Sequence, residues 1–524
     1  MKIIQRVLIA IFLMQAASAQ TVFDVAKPQP LPEGAPRASD VIMRSLRIRS
    51  SNAQEPHDTL KALDDFHVTR LEWAYINDPA FIAKVKAQGC VFGGAAAAPS
   101  YIKPGDDPDW FEKVVVKNLD GEPIIAPWKR SWDRTLWGCV NTPELERGYL
   151  EYLKRYIDAG ADVMQRDEPR ANLLAVNWGG CFCDHCMSGF RAWLAENTTR
   201  EQREAAGIAA LDTFDYRQHV LAQDAPVGDA FGKWDGGQLK EWFTAFQEDS
   251  TLAFHERMRA AVDAYAGRRV PFSCNNGVRR WGAVELMFDW AFGELSYGHA
   301  TAVQIYNAMR EARDQGRRQV VTMPKSTKWE TTPDLLARTR RTIAMAYACG
   351  GHCMAPWDTY MPGNAPRYFG TPEQYADLFA FIRANAPIMD GYEEAAVFGK
   401  GIADERFGDE PPVTIVDHET AFAVVRVVPG DASKPVAVHL IDWSDAPEPL
   451  ILQLNPGRFW GEKAFTMELR IPAPYNQEAH VAAEETGDFK GLVRTVAVAP
   501  EADGTLRLPA VAPWGILVLT PETR

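Results

Sequence analysis

The sequence predicts an α/β chain: a (β/α)8 TIM barrel followed by a small C-terminal β-sandwich. Three observations carry this reading. Over residues 39–394, eight short β-like runs alternate with amphipathic helical stretches, the pattern of a parallel barrel. From about residue 395 strand follows strand between Pro, Gly and Asp breaks, with no helix between them, as in a sandwich. The length, 524 residues, exceeds what one ordinary hydrophobic core holds, so one large and one small domain is the expected division.

In chain order, Lys2 and Arg6 precede an apolar run from Val7 to Ala16 and then Ala17-Ser18-Ala19. A charged start, a short apolar stretch and an A-x-A site predict a signal peptide over 1–19, cut after Ala19, and so a periplasmic or secreted protein. The run is too short for a stable anchor, and no other segment is long and apolar enough, so no membrane insertion is expected. Residues 20–38 are Pro-rich and polar and read as an extended linker. The barrel runs are Val41–Ile48, Thr69–Tyr75, Cys90–Ala96, Asp162–Gln165, Val270–Cys274, Trp290–Leu295, Gln319–Met323 and Cys349–Ala355, with helical patterns such as Glu146–Ala159 and Thr331–Ala348 between them. Two long inserts, 97–140 and 171 to about 240, follow strands. They therefore belong to the C-terminal face, where such barrels keep their chemistry. In residues 395–524 the strands read as Phe422–Val428, Val436–Ile441, Leu450–Leu454, Val493–Val498 and Gly515–Leu519.

The formal charge is −13 and no basic stripe is present, so the chain lacks the electrostatic footprint of a nucleic-acid binder. Apolar content of 46% and charged content of 24% are ordinary for a globular protein.

Cysteine spacing is the sharpest local signal. Cys181, Cys183 and Cys186 stand within Gly180-Cys181-Phe182-Cys183-Asp184-His185-Cys186, a chelate spacing that suits tetrahedral zinc. A closed site needs a fourth ligand, for which Cys139 is the candidate and His185 the competitor. A disulfide plus free thiols is the alternative, weakened because a C-x-C pair closes a strained ring.

Cys139, a helix, a β-run ending in a carboxylate, and then CFCDHC followed by Gly189-Phe190-Arg191-Ala192-Trp193-Leu194 closely resemble the β-galactosidases of glycoside hydrolase family 42. The likeness is specific over residues 134–195 and only topological elsewhere. It implies a structural zinc on Cys139, Cys181, Cys183 and Cys186 beside the active site, and a glycosidase acting on oligo- or polysaccharide, with β-linked substrates of the galactoside type.

Glycosidic cleavage needs one protonated acid and one ionised carboxylate facing it. The fourth β-run ends in Arg166-Asp167-Glu168-Pro169-Arg170, and Glu168 matches the family's acid/base. Asp167 stands where the family has Asn, which donates to a sugar hydroxyl. Two adjacent carboxylates also raise one another's pKa, which suits an acid. The family's nucleophile ends strand seven, but here Val320–Lys325 holds no carboxylate, and Glu330 follows five residues later. Glu294, in the sixth β-run, is the first choice for the second carboxylate. Strand-end groups expected to contact sugar are Arg47 and Arg49, Arg134, Asn275 and Asn276, and Asp358, with Trp357 as a platform for the apolar face of a ring. Arg134 lies five residues before Cys139, whereas the family's sugar-binding Arg lies four before, at Thr135. The missing strand-seven Glu and the Asp167 replacement leave open a sugar-binding pseudoenzyme on the same barrel. A metallohydrolase fits poorly, because four thiolates close a metal site and no HxH or HExxH pattern is present. The family's trimerising middle domain has no room here, so oligomeric state is not carried over.

Overall fold

The computed structural model describes residues 20–44, 58–96, 108–130, 136–324, 332–357, 359, 368, 370–402, 404–461 and 463–522. Eight parallel strands lie in sequential order: β1 Ile42–Arg44, β2 Arg70–Ala74, β3 Val91–Ala96, β4 Val163–Arg166, β5 Phe272–Asn275, β6 Trp290–Gly293, β7 Gln319–Val321 and β8 His352–Cys353. Ala355 N donates to Ile42 O at 2.8 Å, which brings the end of β8 back to β1. The strands are almost wholly buried rather than alternating, because helices cover the outside and side chains fill the inside. That double burial explains why they read in sequence as short unbroken apolar runs. Inside the barrel, Glu72 accepts from Arg70 Nε at 2.5 Å and Trp290 Nε1 at 3.1 Å. Every expected barrel run overlaps its strand; β4 and β5 each extend one residue beyond the expected run, to Arg166 and Asn275, and most of the others are shorter than their runs because side-chain pattern outlasts backbone pairing.

The second insert forms its own apolar core with the first, around Trp137, Trp178, Phe182, Phe190 and Phe243. A 30-residue helix, Gly237–Ala266, spans about 45 Å. Its first half, at Leu239, Phe243 and Phe246, packs in the insert core. Its second half, at Phe254, Met258 and Val262, packs in the barrel core. One helix thus fixes the insert on the barrel.

The C-terminal part is two antiparallel sheets. The larger has the order β15-β14-β17-β12-β11-β9 and the smaller β10-β13-β16. Here β9 is Glu393–Gly399, β10 Val413–Val416, β11 Ala421–Val427, β12 Val436–Asp442, β13 Leu450–Leu454, β14 Phe465–Pro472, β15 Val493–Ala497, β16 Thr505–Leu508 and β17 Trp514–Pro521. The central strands divide their side chains by period 2. Phe422 and Val424 of β11, with Trp514, Ile516 and Val518 of β17, face the barrel core, while Val425, Val427, Leu517 and Leu519 join the core between the sheets.

Two expectations are corrected. Residues 20–38 are not merely an extended linker: Val22–Val25 forms a short helix, and Val22, Phe23 and Val25 are buried in the sandwich core. Their apolar side chains outweigh the surrounding prolines. The sandwich is also not free of helix. Gln477–Thr486 lies between β14 and β15, and its His480 and Glu484 meet His67 of the barrel through ring-nitrogen contacts of 2.7 and 2.6 Å. The expected signal segment lies outside the described residues. Among the described residues no helix is long and apolar enough to cross a membrane.

Trp514 is fully buried against Phe381 of the last barrel helix, with ring centroids 5.1 Å apart. Trp514→Ala should therefore cost about 3–5 kcal/mol. Denaturant unfolding, followed by fluorescence and circular dichroism, should show barrel and sandwich destabilised in one shared transition. A barrel transition left unchanged would contradict the shared core.

Candidate active site and thiolate cluster

Strand β4 delivers Asp167 and Glu168 to the C-terminal rim. Asp167 is buried and saturated with donors. Oδ1 accepts from Asn275 Nδ2 and from the Glu168 backbone N–H, both at 3.1 Å, while Oδ2 accepts from the Tyr75 hydroxyl. Tyr75 in turn accepts from Trp73 Nε1 at 3.3 Å. Asn275 is committed as well, since its Oδ1 caps the Gly277 N–H at 3.1 Å. The two residues expected to reach sugar are therefore bound to each other. This accounts for Asp at the position where the resembled family has Asn: its neighbours here are all donors.

Glu168 is half-buried and adopts φ 55°, in the left-handed region. Such a conformation is uncommon outside glycine and points to a constrained position at the strand end. Burial, helped by the neighbouring charge of Asp167, raises its carboxyl to about 8. The charge of Glu294 also raises it, whereas Lys129 and Arg166 oppose. Desolvation is the largest of these influences: a carboxylate loses more than a carboxylic acid on leaving water. Behind this pair, Arg166 is buried with its guanidinium 4.7 Å from the Tyr149 ring. His255 Nε2 donates to Pro169 O at 2.6 Å and steadies the turn that follows Glu168.

The expected run reached Leu295, but β6 ends at Gly293, so Glu294 lies one residue beyond the strand and is exposed. The strand stops at Gly293 because Leu295 N turns to Thr322 Oγ1, at 2.9 Å. Glu168 and Glu294 thus rise from β4 and β6 on the same rim. Trp357 is corrected as a platform. It is fully buried, with Tyr368 stacked on it at 4.0 Å, so its face is already covered. Asn276 pairs with Gln319 at 2.8 and 3.1 Å, and so holds β5 to β7 rather than facing the rim. Arg47, Arg49, Arg134, Glu330 and Asp358 lie outside the described residues.

Three residues that sequence reasoning passed over join the rim. Arg44 ends β1 and its guanidinium sits 3.9 Å over the Trp73 ring. Tyr75 holds Asp167, and its place at the end of the second β-run was a usable signal. Lys129, at the end of the turn Pro127–Lys129 in the first insert, is fully buried with Nζ 4.3 Å from the Trp137 ring centroid. Burial pulls its amine down to about 7, against the opposing charges of Glu168 and Asp167. No local pattern marked it; only folding brings it to Glu168.

On the flank of this rim, Cys139, Cys181, Cys183 and Cys186 are all buried, with their sulfurs within 4.8 Å of one another. Cys139 Sγ lies 3.8 Å from Cys183 Sγ and 3.5 Å from Cys186 Sγ. Tetrahedral Zn–S bonds of about 2.3 Å require sulfurs about 3.8 Å apart, which fits. Amide donors converge on the sulfurs as they would on thiolates: Asn172 Nδ2 lies 3.2 Å from Cys139 Sγ and Asn141 Nδ2 3.3 Å from Cys186 Sγ. No disulfide joins any of the eight cysteines. Four buried sulfurs at this spacing form a site that can hold a metal. His185, the competing ligand, is exposed and takes no part.

No protein-family model matches the chain. Its sequence is similar to an alpha-agarase of Alteromonas agarilytica, 23% identical over 274 residues, covering 48% of this chain and 19% of that protein. It is likewise similar to an alpha-agarase of Thalassotalea agarivorans, 22% identical over 276 residues, covering 48% of this chain and 18% of that protein. The match thus spans less than a fifth of these curated relatives. Among solved structures, the chain is similar to a cyclic alpha-maltosyl-(1→6)-maltose hydrolase of Arthrobacter globiformis, with 11% identity over 80% of this chain and 94% of that one, at a TM-score of 0.44. It is also similar to an alpha-amylase of H. orenii, with 10% identity over 95% and 98% of the two chains, at a TM-score of 0.43. Membership of family 42, expected from the cysteine motif, is not established by these likenesses.

If the four sulfurs hold a metal, a strong chelator should lower the melting temperature by on the order of 10 °C, from a loss of several kcal/mol at about 2–4 °C per kcal/mol. Cys186→Ser should do the same without chelator. Thermal melts unaffected by both would rule out a structural metal.

Proposed function

We propose that the chain is a glycoside hydrolase in which Glu168 is the general acid and Glu294 the opposing carboxylate. The observation that carries this reading is the raised pKa of Glu168 at the end of a central barrel strand, with a second carboxylate on the same rim close enough to raise it. Glu168 stays protonated at neutral pH and so has a proton to give to a departing sugar oxygen. Asp167, fixed by Tyr75 and Asn275, adds to the effect of burial in raising the Glu168 pKa. Lys129 works in the other direction, limiting how far the pKa rises.

The substrate class we propose is a polysaccharide of the agar type, on the strength of the alpha-agarase relatives. Their prefix favours an α-linked glycoside over the β-linked one the cysteine motif implies. The cysteine site is assigned to one structural zinc, which shapes the insert and takes no part in the chemistry: four sulfur ligands leave no open position. Zinc analysis of protein purified without added metal should return one equivalent. Asn172→Ala should weaken its retention by about 10–100-fold, the usual effect of removing a group that orients a ligand. The amino-terminal sequence supports export.

Purified protein incubated with agarose and agaro-oligosaccharides, with products read by mass spectrometry, tests the reading. Glu168→Gln should lower the rate by about 10²–10⁴-fold on a poor leaving group, and by less on an activated aryl glycoside. Equal losses on both would remove Glu168 as the acid, and no product from any glycan would remove the hydrolase.

The pH profile offers a separate check. Because the pKa of Glu168 is raised, its acid form persists as pH rises, and activity should fall through about pH 8. Asp167→Asn removes a charge that raises this pKa, so the alkaline limb should move downward. A limb that stays or moves upward would contradict the coupling.

A further inference from the structure

We infer that the groove walled by Ile125, Trp178, Arg130 and Asp229, with the exposed Trp128 packed on Trp178 at its edge, is a distal subsite for one saccharide unit of a polymeric substrate; this rests on the hydrolase reading above. The groove has a volume of about 390 Å³, within the range of small-molecule sites. Exposed apolar side chains gather on it and next to it. Ile125, 38% exposed, lines the groove; Trp128, at 41%, packs on its Trp178, and Val227, at 41%, adjoins the lining residue Gly228. Among the described residues these are three of the five exposed large hydrophobic residues, and such residues are informative when clustered rather than scattered.

The polar content suits a sugar rather than an apolar ligand. Arg130 Nη2 and Asp229 Oδ2 pair at 2.7 Å on the groove wall, with side chains 57% and 50% exposed. An ion pair this exposed contributes little to stability. It does present donors and acceptors beside an indole, and a pyranose needs both: an apolar C–H face to stack and a rim of hydroxyls to bond.

The indoles are rigidly mounted. Trp128, Trp137 and Trp178 meet edge to face with centroids 4.9–5.9 Å apart. Trp178 stands on a turn closed by Gly179 at φ 83°, and Gly232 packs so closely on Asn177 that a Cβ there would lie 2.5 Å from its carbonyl oxygen. The groove is tied to the candidate active site through the insert. Trp128, packed on the groove residue Trp178, is exposed, while the next residue, Lys129, is buried and feels the charge of Glu168. Trp137 Nε1 donates to Ala171 O at 3.1 Å, three residues beyond Glu168. The same turn of the insert therefore serves both places.

The test uses the full-length protein, with agarohexaose as the binding probe in Glu168→Gln protein and with agarose and an aryl galactoside as substrates for the otherwise unmodified enzyme. Trp128→Ala should weaken hexaose binding at least tenfold by calorimetry. It should also lower kcat/KM on agarose at least tenfold more than on the aryl galactoside, mainly through KM. Arg130→Ala should act in the same direction, and serves if Trp128→Ala does not fold. Unchanged hexaose affinity in both variants, equal losses on the long and short substrates, or no hexaose binding by the parent would each overturn the subsite. Hexaose binding that depends on Trp128, in a protein that hydrolyses nothing, would keep the subsite and remove the hydrolase. Capture of a protein partner at this groove with no saccharide binding would overturn the subsite as well.

Discussion

Four buried sulfurs and the apolar core around them join the two inserts on the C-terminal flank of the barrel. Cys139 comes from the first insert and Cys181, Cys183 and Cys186 from the second, and they meet within 4.8 Å. Burial, the largest cause, pushes the Cys139 and Cys181 thiols far up, away from the charged form. A bound cation would reverse that preference, so metal binding and folding of the inserts would support one another. The turn carrying Trp128 and Lys129, the Trp137 contact to Ala171, and the helix that bridges insert and barrel all belong to this joined region.

Electrostatics at the end of β4 follow from that placement. A carboxylic acid at a barrel mouth would ordinarily be solvated and ionised. Here Trp137 and Lys129 help close one side and Asp167 occupies another, so desolvation and a fixed negative neighbour outweigh the two opposing cations. Burial is the largest influence on Glu168, and the charges around it add to or oppose that effect. Asp167 is held in one orientation by three protein donors.

The sandwich contributes a second constraint. Its central strands are buried on both faces, one toward the barrel and one toward the smaller sheet. It therefore behaves as an outer layer of the barrel core more than as an appended module, and the short helix Val22–Val25 reaches back to join it.

Period and spacing were legible in the sequence because they are local properties. Eight buried parallel strands leave apolar runs, tetrahedral chelation leaves a C-x-C-x-x-C spacing, and a strand-end Asp-Glu pair marks the β4 rim. Strands β9, β10, β14 and β16 escaped notice: β9 opens on two glutamates, and polar residues interrupt the apolar pattern of the other three. Trp357 looked like a platform because composition cannot tell a covered indole from an open one, and Asn275 looked like a sugar contact because its partner, Asp167, lies 108 residues away. The sequence by itself determined the barrel, the sandwich and the residues of the thiolate cluster, since each follows from a repeating local pattern. Only the tertiary structure decided that Lys129 sits beside Glu168, that Tyr75 and Asn275 restrain Asp167, and that Trp128 and Trp178 share a groove, because desolvation and Coulomb interaction act through space between residues the chain keeps far apart.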